Sequence, residues 1–267
     1  MEFSLVMAVY AKENPLHLSQ CFQSIERQTI KPTEIILVKD GPLGVELEKV
    51  IKDSSLCMRF IAFDTNMTQG IARAEGTKAA KYKWVALMDS DDICMPDRFK
   101  KQLEFINNNP NIDMLGGQVM EFEQDKYLSI KNVPLTHKEI ITYAKKRNPF
   151  NAMTMIFKRD IALQAGNFRY FPGFEDYDLW VRMINAGAIC ANHPDILVDA
   201  RTGSGMYKRR KGLSYIKFEY KMQKQLKELG LIGIFQFIKN IILRIPIRLL
   251  PTCCIRFFYS KFARGMV

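Results

Sequence analysis

The 267-residue chain has few of the side chains that build zinc sites and disulfide frameworks. It contains three histidines and six cysteines, and the cysteines form no Cys-x-x-Cys pair and no spacing typical of metal ligands. Because the histidines are also scattered, we expect no zinc site. Cysteines without a disulfide pattern are typical of a reduced, cytosolic compartment, which we therefore expect for this chain.

Long hydrophobic runs are missing as well. The longest uncharged run in the C-terminal part, residues 229–238, is 10 residues long, whereas a membrane-spanning helix needs about 20. Residues 1–10 have neither the basic segment nor the long apolar segment of a signal peptide, so we expect a first buried strand there. We therefore predict no segment that crosses a membrane.

Charge is distributed unevenly along the chain. Residues 206–267 hold 14 Lys and Arg against two acids, a net charge of +12, whereas residues 1–205 hold 25 bases and 26 acids. A near-neutral body thus carries a strongly basic extension, which indicates an anionic partner such as membrane phospholipid or nucleic acid. On this basis we divide the chain into a domain at 1–205 and an extension at 206–267.

Strand-like and helix-like segments alternate through the first 108 residues. Segments typical of buried strands lie at 3–10, 34–40, 58–63 and 84–88, and segments with helical spacing lie at 15–28, 45–52, 71–81 and 96–108. Four successive strand–helix units predict a parallel sheet covered by helices on both faces. Ligands of such sheets bind beyond the carboxyl ends of the strands, where Tyr10, Asp40 and a group of acids after residue 88 lie.

The pattern is less regular after residue 108. We predict strands at 114–123, 152–158, 189–191 and 196–199, and a helix at 177–186. Trp84 and Trp180 are expected in the core.

The basic extension begins with a predicted amphipathic helix at 214–229, for which Gly230 is a suitable stop. Apolar residues form one stripe along it and lysines form the next: Phe218, Met222, Leu226 and Leu229, then Lys217, Lys221 and Lys224. Residues 231–259 are more apolar, with Pro246 and Pro251 as breakers. We interpret the extension as an interfacial element on an anionic membrane. The alternative is a helical lid that packs on the body.

Three carboxylates follow the fourth predicted strand. This apolar strand ends in Asp89, Asp91 and Asp92, and crowded negative charge is unfavourable unless a cation neutralises it. Hard divalent cations prefer oxygen ligands, and magnesium usually shares a few carboxylates with substrate phosphates. The stretch therefore indicates a site for a metal ion and a diphosphate. The alternative is that Asp92 or Asp97 only caps the helix that Pro96 begins.

Five stretches of the sequence match one known pattern in its order. They are Met-Ala-Val-Tyr (7–10), Glu-Ile-Ile-Leu-Val-Lys-Asp-Gly-Pro (34–42), Gly-Ile-Ala-Arg-Ala-Glu-Gly (70–76), Asp-Ser-Asp-Asp (89–92) with Met-Pro-Asp-Arg (95–98), and Gly-Phe-Glu-Asp-Tyr-Asp-Leu-Trp (173–180). With these motifs the chain resembles glycosyltransferase family 2, whose members are inverting enzymes with the GT-A fold. Within that family it resembles bacterial enzymes that build lipopolysaccharide, O-antigen or exopolysaccharide. The implied fold is a Rossmann-like, mostly parallel α/β sheet flanked by helices.

The resemblance implies a donor site at the ends of the first strands. Tyr10 and Asp40 would hold the nucleotide base, and an Asp40 that accepts the imide N–H suits uracil. Taken alone, these two residues favour a strand end and an Asp-Gly turn. Many relatives carry an acid where this chain has Lys39. Arg73, near the start of a helix, would meet a donor phosphate; its alternative is a solvated helical charge.

The resemblance also implies the metal ligands and the base. Asp89 and Asp91 form an Asp-x-Asp motif that would contact the ribose and a Mn²⁺ or Mg²⁺ ion on the diphosphate, and Asp92 is the alternative to Asp89 as a ligand. The base would be Asp176, with Glu175 as the fallback, because an inverting displacement needs one carboxylate to take the proton of the acceptor hydroxyl. Without the resemblance, Glu175 and Asp176, together with Asp178, favour an acidic helix N-terminus.

Two further segments bear on the acceptor and the membrane. Aromatic residues lie between and beside Gly166 and Gly173 and suggest an acceptor loop on which a sugar ring could lie, or simply loop packing: Phe168, Tyr170, Phe171 and Phe174. We assign the basic run 208–211 to the membrane and leave the role of Arg201 open.

These features predict a metal-dependent inverting glycosyltransferase. It would move a sugar from a UDP-sugar to a hydroxyl of a lipid-linked glycan at the inner face of the cytoplasmic membrane. The first alternative is a sugar-phosphate nucleotidyltransferase, but residues 10–20 contain no glycine for a phosphate-gripping loop. The second is a nucleic-acid-binding protein that acts through the basic extension. Because no nucleic-acid-binding motif accompanies that extension, we expect no nucleic-acid partner.

Overall fold

The computed structural model describes residues 1–124, 126–202, 212–249 and 265–266. These residues form nine α-helices and one ten-stranded mixed sheet. The helices are α1 (Pro15–Glu26), α2 (Val45–Asp53), α3 (Gln69–Ala79), α4 (Arg98–Asn108), α5 (His137–Ala144), α6 (Arg159–Gln164), α7 (Glu175–Asn185), α8 (Leu213–Glu228) and α9 (Ile234–Leu249). The strands are β1 (Phe3–Tyr10), β2 (Glu34–Asp40), β3 (Met58–Ala62), β4 (Trp84–Asp89), β5 (Ile93–Cys94), β6 (Met114–Glu123), β7 (Lys126–Lys131), β8 (Ile156–Lys158), β9 (Cys190–Arg201) and β10 (Gly265–Met266).

The N-terminal half of the sheet is parallel, as predicted. Strands β3, β2, β1 and β4 lie side by side in one direction. Nearly all of β1 is buried, which explains its continuous apolar sequence in a sheet covered on both faces. The register sets Tyr10 opposite Asp40 and Ala8 opposite Asp89. The strand ends that carry the candidate site residues therefore meet at one edge, and the predicted α/β fold class is confirmed.

The C-terminal half of the sheet is mixed rather than parallel. Strand β8 runs antiparallel to β4, and β6 runs antiparallel to β7 and β8 but parallel to β9. The prediction of two short strands at 189–191 and 196–199 is wrong, because β9 continues through Pro194. Register shifts on either side of Gln118 absorb the residues around that proline, which has no N–H to donate to the ladder.

The predicted strand at 152–158 is also too long. Residues Ala152–Thr154 form a 3₁₀ turn before β8. The Thr154 hydroxyl donates to the Asn151 carbonyl at 2.7 Å and stabilises this turn.

Helix α4 begins at Arg98 rather than at Pro96. The residue before it, Asp97, makes no side-chain cap and instead pairs with Lys101 at 3.1 Å. Asp92 lies outside the helix altogether, so neither acid acts as the predicted cap.

Helix α3 packs closely against both the sheet and the start of α7. A Cβ atom at Gly76 would lie 2.4 Å from Val6 Cγ1 on β1. A Cβ atom at Gly70 would lie 2.8 Å from the Arg169 carbonyl oxygen and 3.0 Å from Glu175 Cβ. Since no side chain fits at either position without displacement, glycine fixes the position of α3 at both ends.

Helix α8 packs on the domain, as the helical-lid alternative expects. Met222 and Leu226 of its predicted apolar stripe are fully buried in a cluster with Phe171, Phe174 and Tyr177. The stripe is therefore confirmed, and it faces the body.

Helix α9 has an exposed apolar side. Gly230, with a φ of +70°, lies at the predicted end of α8, but Pro246 does not break the next segment, because α9 continues through it to Leu249. The outer side of α9 exposes Ile234, Phe235, Ile238, Ile242 and Leu243. Among the residues described, no helix has the length and apolarity that a membrane span requires. The basic run 208–211 and residues 250–259 lie outside the described residues.

Candidate active site

The carboxyl ends of β1 and β2 border a cavity of about 350 Å³. Its lining residues are Tyr10, Ala11, Lys12, Asp40, Gly41, Pro42 and Asn66. Tyr10 is 39% exposed, so its aromatic face is available to a ligand. Asp40 is buried, and its two carboxylate oxygens accept hydrogen bonds from Asn66 Nδ2 (2.9 Å) and Met67 N–H (2.6 Å). The two residues predicted to hold the base thus line one cavity, and Asp40 also fixes the loop beside it.

The predicted Asp-Gly turn forms part of the same cavity. Gly41 has a φ of +91°, and a Cβ atom there would lie 2.9 Å from the Asn66 backbone nitrogen. Lys39 alternates with Asp40 along β2 and pairs with Glu48 at 2.6 Å. The lysine is therefore held by helix α2 on the other face of the strand.

Asp89, at the end of β4, is held by the first turns of α3. Its Oδ1 accepts hydrogen bonds from Gln69 Nε2 (3.2 Å) and from the Arg73 guanidinium. Arg73 is 5% exposed, so its alternative as a solvated helical charge does not hold. Burial lowers the pKa of this guanidinium, but the carboxylates of Asp89, Asp176 and Glu175 outweigh that effect and raise the pKa overall. Arg73 thus pairs with Asp89 of β4 and is also influenced by the charges of Glu175 and Asp176 at the start of α7.

Asp91 and Asp92 lie among crowded carboxylates. Burial, together with Asp89 and Glu13, raises the pKa of Asp91 to about 7. Asp92 is 2% exposed, and burial and the neighbouring aspartates raise its pKa well above the ordinary value. Its Oδ1 accepts the Arg201 backbone N–H at 2.7 Å, whereas its Oδ2 has no hydrogen-bond partner among the described residues. The negative charge of this turn is therefore only partly compensated.

These residues fit a hard cation that is shared with a substrate. Within the described ranges, no group of three or more His, Cys, Asp or Glu side chains is arranged to hold a metal ion by itself. Magnesium commonly binds through one or two carboxylates together with substrate phosphates. A cation would relieve the repulsion that raises the pKa of Asp91, and Oδ2 of Asp92 offers a further oxygen. The donor set therefore suits a divalent ion bound with a diphosphate.

The first two acids of α7 have different environments. Asp176 accepts hydrogen bonds from Asn148 Nδ2 at its Oδ2 (2.7 Å) and from the Tyr177 N–H at its Oδ1 (2.7 Å). Oε2 of Glu175 is buried without a hydrogen-bond partner among the described residues. Burial and Asp176 raise the pKa of Glu175, and the nearby Arg73 opposes this increase. Asp176 is thus held in one orientation by two hydrogen bonds, whereas Glu175 has one buried oxygen without a hydrogen-bond partner among the described residues.

Asp178, two residues further along α7 than Asp176, has a structural role. It is fully buried and pairs with Arg169 at 2.6 Å and with Arg182 at 2.8 Å. Arg169 also donates to Gln225 Oε1 of α8 at 3.1 Å. The third acid of the predicted acidic N-terminus therefore joins the loop before α7 to the C-terminal helices.

Comparison with known proteins identifies the family. The sequence model described as Glycosyl transferase family 2 matches residues 4–164, which include the strand ends that carry Tyr10, Asp40 and Asp89. The chain belongs to glycosyl transferase family 2. The predicted family resemblance is confirmed, and the protein is a glycosyltransferase.

Two bacterial relatives match this family 2 chain over nearly its whole length. The amylovoran biosynthesis glycosyltransferase AmsE of Erwinia amylovora is 35% identical over 98% of this chain and 100% of its own. The UDP-Gal:alpha-D-GlcNAc-diphosphoundecaprenol beta-1,3-galactosyltransferase of Escherichia coli is 36% identical over 98% of this chain and 97% of its own. Both matches thus extend past the family core into the C-terminal extension.

Solved structures share the fold. Residues 1–349 of S. aureus TarS, in complex with UDP-GlcNAc, have a TM-score of 0.68 at 16% identity over 98% of this chain and 73% of that one. The mannosyltransferase PcManGT from Pyrobaculum calidifontis, in complex with GDP-Man and Mn²⁺, has a TM-score of 0.66 at 13% identity over 100% of this chain and 76% of that one. This similarity supports the predicted GT-A fold of the family 2 chain.

The family 2 site includes side chains that the sequence analysis missed. Glu13 adds a carboxylate near Asp91, Gln69 holds Asp89, and Asn148 holds Asp176. Of these, only Glu13 had a usable signal, since it is an acid shortly after the first strand. The two amides belong to loops or loop–helix junctions, and their neighbours are set by tertiary folding.

Arg201, whose role was left open, supports the acidic turn after β4. Its Nε donates to the Asp91 carbonyl at 2.9 Å, and its Nη2 donates to Gln20 Oε1 at 2.7 Å. Together with the bond from its backbone N–H to Asp92, these contacts tie the end of β9 to that turn.

The aromatic residues around the predicted acceptor loop serve mainly in packing. Phe168 stacks edge-on against Trp180 in the core, with ring centroids 5.5 Å apart. Phe171 and Phe174 are buried against α8. Of the four aromatic residues, Tyr170 is the exposed one, at 61%. A sugar-stacking role thus remains open to Tyr170.

Proposed function

We propose that this family 2 enzyme transfers a sugar from a UDP-sugar to a hydroxyl of a growing, lipid-linked bacterial surface glycan, with inversion at the anomeric carbon. The observation that carries the proposal is the position of Arg73. It pairs with Asp89 on the donor side, and its helix packs at Gly70 against Glu175 of α7, whose charge, with that of Asp176, raises the pKa of Arg73. Metal-ligand candidates, a buried cation and base candidates therefore lie in one continuous site.

The nucleotide base binds in the cavity at the ends of β1 and β2. Tyr10 offers its ring, and Asp40 accepts the imide N–H of uracil with lone pairs that Asn66 and Met67 leave unused. The E. coli relative, which is 36% identical and is named for a UDP-Gal donor, supports a uridine donor.

The diphosphate lies at the acidic turn after β4. Asp91 and Asp89, with Asp92 as the alternative to Asp89, would hold a Mn²⁺ or Mg²⁺ ion, and the ion would offset the charge of the departing nucleoside diphosphate. Arg73 adds a fixed positive charge on the α3 side of this turn. The Mn²⁺ complex of the Pyrobaculum mannosyltransferase supports the use of a divalent ion.

Asp176 acts as the base. Its carboxylate takes the proton of the acceptor hydroxyl as that oxygen bonds to the anomeric carbon, and the bond from this carbon to the diphosphate oxygen breaks. We favour it over Glu175 because two hydrogen bonds orient its carboxylate. Oε2 of Glu175 is buried, which leaves that residue as the alternative base.

The acceptor is carried on lipid, and the enzyme works at the inner face of the cytoplasmic membrane. The E. coli relative is named for a diphosphoundecaprenol-linked sugar, which supports this acceptor class. Helix α9 supports the membrane contact, since Phe235 is 87% and Ile242 65% exposed beside the exposed Lys239. An apolar face with an adjacent lysine suits an anionic bilayer surface.

Transfer with purified enzyme tests the activity. UDP- and GDP-sugars are offered with Mn²⁺ and a sugar-diphospholipid acceptor, and we expect a product from one UDP-sugar with inverted anomeric configuration. Transfer from GDP-sugars alone would overturn the uridine assignment. Pyrophosphate release from a nucleoside triphosphate and a sugar phosphate would instead favour a nucleotidyltransferase.

Flotation with vesicles tests the membrane contact. The double variant Phe235→Ser and Ile242→Ser should lose binding to vesicles rich in phosphatidylglycerol, whereas Val45→Ser, at an 86% exposed valine of α2, should retain it. Equal flotation of both variants would contradict the assignment of α9. A DNA shift assay on the same samples checks the nucleic-acid alternative.

A further inference from the structure

We propose that Asn148 is a positioning residue for the Asp176 carboxylate and that helix α9 holds the Asn148 loop in place. The C-terminal helices would then form part of the catalytic machinery as well as a packing surface. This inference rests on the proposed function, because it assumes that Asp176 is the base.

The hydrogen bonds of Asn148 fix the orientation of its amide. The Phe150 N–H donates to its Oδ1 at 3.2 Å, so the oxygen must face the backbone. The amide nitrogen is thereby turned towards Asp176 and donates to its Oδ2 at 2.7 Å. The second oxygen of Asp176 accepts the N–H of Tyr177 on its own helix. One side of the carboxylate is therefore held locally and the other by a distant loop.

A neutral amide suits this role. It restricts the rotation of the carboxylate, yet it adds no positive charge that would pair with the base. A base whose oxygen is displaced even slightly from the acceptor hydroxyl loses much of its effect, because proton transfer depends on alignment.

The loop that carries Asn148 is tied to α9 through its backbone carbonyls. Asn240 Nδ2 donates to the Lys145 carbonyl at 3.0 Å, and the Arg244 guanidinium donates to the Lys146 carbonyl. The Tyr177 hydroxyl donates to the carbonyl of Ala144 at the end of α5. The segment immediately before Asn148 is thus held at three successive carbonyls.

The α9 side of this contact is itself rigid. Both protons of the Asn240 amide are used, because the same Nδ2 also donates to Gln223 Oε1 of α8 at 2.7 Å. Its Oδ1 accepts from Gln236 Nε2 at 2.7 Å. Arg244 pairs with the fully buried Glu219 at 2.7 Å. These bonds transmit the position of the α8–α9 pair to the loop and so to Asp176.

Kinetics of two variants test the role of Asn148. Asn148→Asp keeps the shape and the oxygen that accepts from Phe150 but removes the donor, and Asn148→Ala removes the whole amide. We expect kcat to fall about 10- to 100-fold in both, with the donor KM unchanged. The matched control is Asn109→Ala, which removes an amide that donates to the Phe105 carbonyl at the end of α4. An unchanged kcat in Asn148→Asp, or an equal loss in the control, would overturn the proposal.

A double variant distinguishes positioning from general damage. If Asn148 acts through Asp176, then Asn148→Ala in an Asp176→Asn background lowers the residual rate no further. A loss of the same factor in both backgrounds would assign Asn148 a merely structural role. Transfer by Asp176→Asn at the wild-type rate would instead remove the base assignment, so the proposed function and this inference fail through different results.

The contribution of α9 has its own test. Asn240→Ala removes the donor to Lys145, and we expect kcat to fall with donor KM unchanged on a soluble acceptor. The control is Glu228→Gln on α8, where the exposed glutamate pairs with Lys224. A kcat equal to that of this control would show that the loop keeps Asn148 in place without α9.

Discussion

The donor half (residues 1–108) and the acceptor half (residues 114–249) place their functional side chains by different means. In the donor half, Tyr10, Asp40 and Asp89 are the last residues of adjacent parallel strands, so strand register alone brings them together. In the acceptor half, Asp176 begins a helix, and its orientation depends on a loop amide and, through that loop, on α9. The backbone topology therefore builds one half of the site, and long-range side-chain contacts build the other.

Asp176→Asn is expected to have the largest effect and to separate the two halves. Loss of a general base should lower kcat by about 10²- to 10⁴-fold, while UDP binding in the donor half remains. The measurement is steady-state transfer combined with UDP titration by calorimetry. Asp160→Asn, at an exposed acid of α6 in the same half, is the control. Loss of UDP binding in Asp176→Asn would show that the halves are not independent.

Glu219→Ala tests how far the acceptor half depends on its C-terminal helices. The buried carboxylate pairs with Arg244 and Arg248, and removing one partner of a buried ion pair costs about 3–5 kcal/mol. Chemical denaturation should show this loss in the free energy of unfolding. Glu228→Ala, at an exposed pair of the same helix, should change it little. Comparable losses in the two variants would contradict a structural role for the buried network.

Gly76→Ala probes the packing of the donor half. The new Cβ would lie 2.4 Å from Val6 Cγ1, and such overpacking costs about 1–3 kcal/mol. We expect a lower melting temperature and weaker UDP-sugar binding, because α3 carries Arg73. Gly44→Ala is the control, since nothing lies within 4 Å of a Cβ atom there. A melting temperature equal to that of the control would mean that β1 moves enough to accommodate the added methyl group.

Asp91→Asn should change the stability of the metal-free protein by an amount that depends on pH. The pKa of Asp91 is raised from its ordinary value to about 7, so its ionised form destabilises the metal-free folded state above that pH. The penalty sets in as the pH rises from the unfolded pKa of 3.8 towards 7, and below about pH 3 the carboxyl is protonated in both folded and unfolded states. Metal-free Asp91→Asn should therefore be more stable than the wild type at pH 8, by about 3–4 kcal/mol, and equally stable at pH 3.

Melting curves at the two pH values, without and with Mn²⁺, measure this difference. Asp53→Asn, at an exposed acid of α2, controls for net charge. A wild type that is the more stable protein at pH 8 without metal would refute the crowding of carboxylates at this turn.

The same contrast explains which parts the sequence could predict. Apolar segments of strand length predicted β1, β2, β3 and β4, and parallel register then fixed the donor residues relative to one another. The Asp-x-Asp motif indicated the acidic turn, but not that Asp92 bonds to the backbone of Arg201, which lies 109 residues away. Pairing of that range depends on the mixed half of the sheet, where β9 bends around a proline instead of ending at it.

In the acceptor half, no local sequence pattern indicates which side chains form hydrogen bonds with one another. Asn148 is one amide in an irregular loop, and its contact with Asp176 becomes visible only when α5, α7 and α9 are assembled. The amphipathic stripe of α8 was visible in the sequence. Its period could not show whether the stripe contacts a protein surface or a lipid surface, since both accept the same apolar side chains. Short elements such as β5, β7 and α6 escaped prediction because tertiary pairing rather than periodicity stabilises them.

Gly70 has a consequence for the width of the cleft. At this position the two halves touch, with the Arg169 carbonyl and the Glu175 side chain occupying the space of an absent methyl group. Any larger residue would act as a wedge between α3 and α7 and would move the buried guanidinium of Arg73 away from the acids across the cleft. The distance between the leaving group and the incoming alcohol therefore depends on Gly70 having a hydrogen atom where other residues have a Cβ atom.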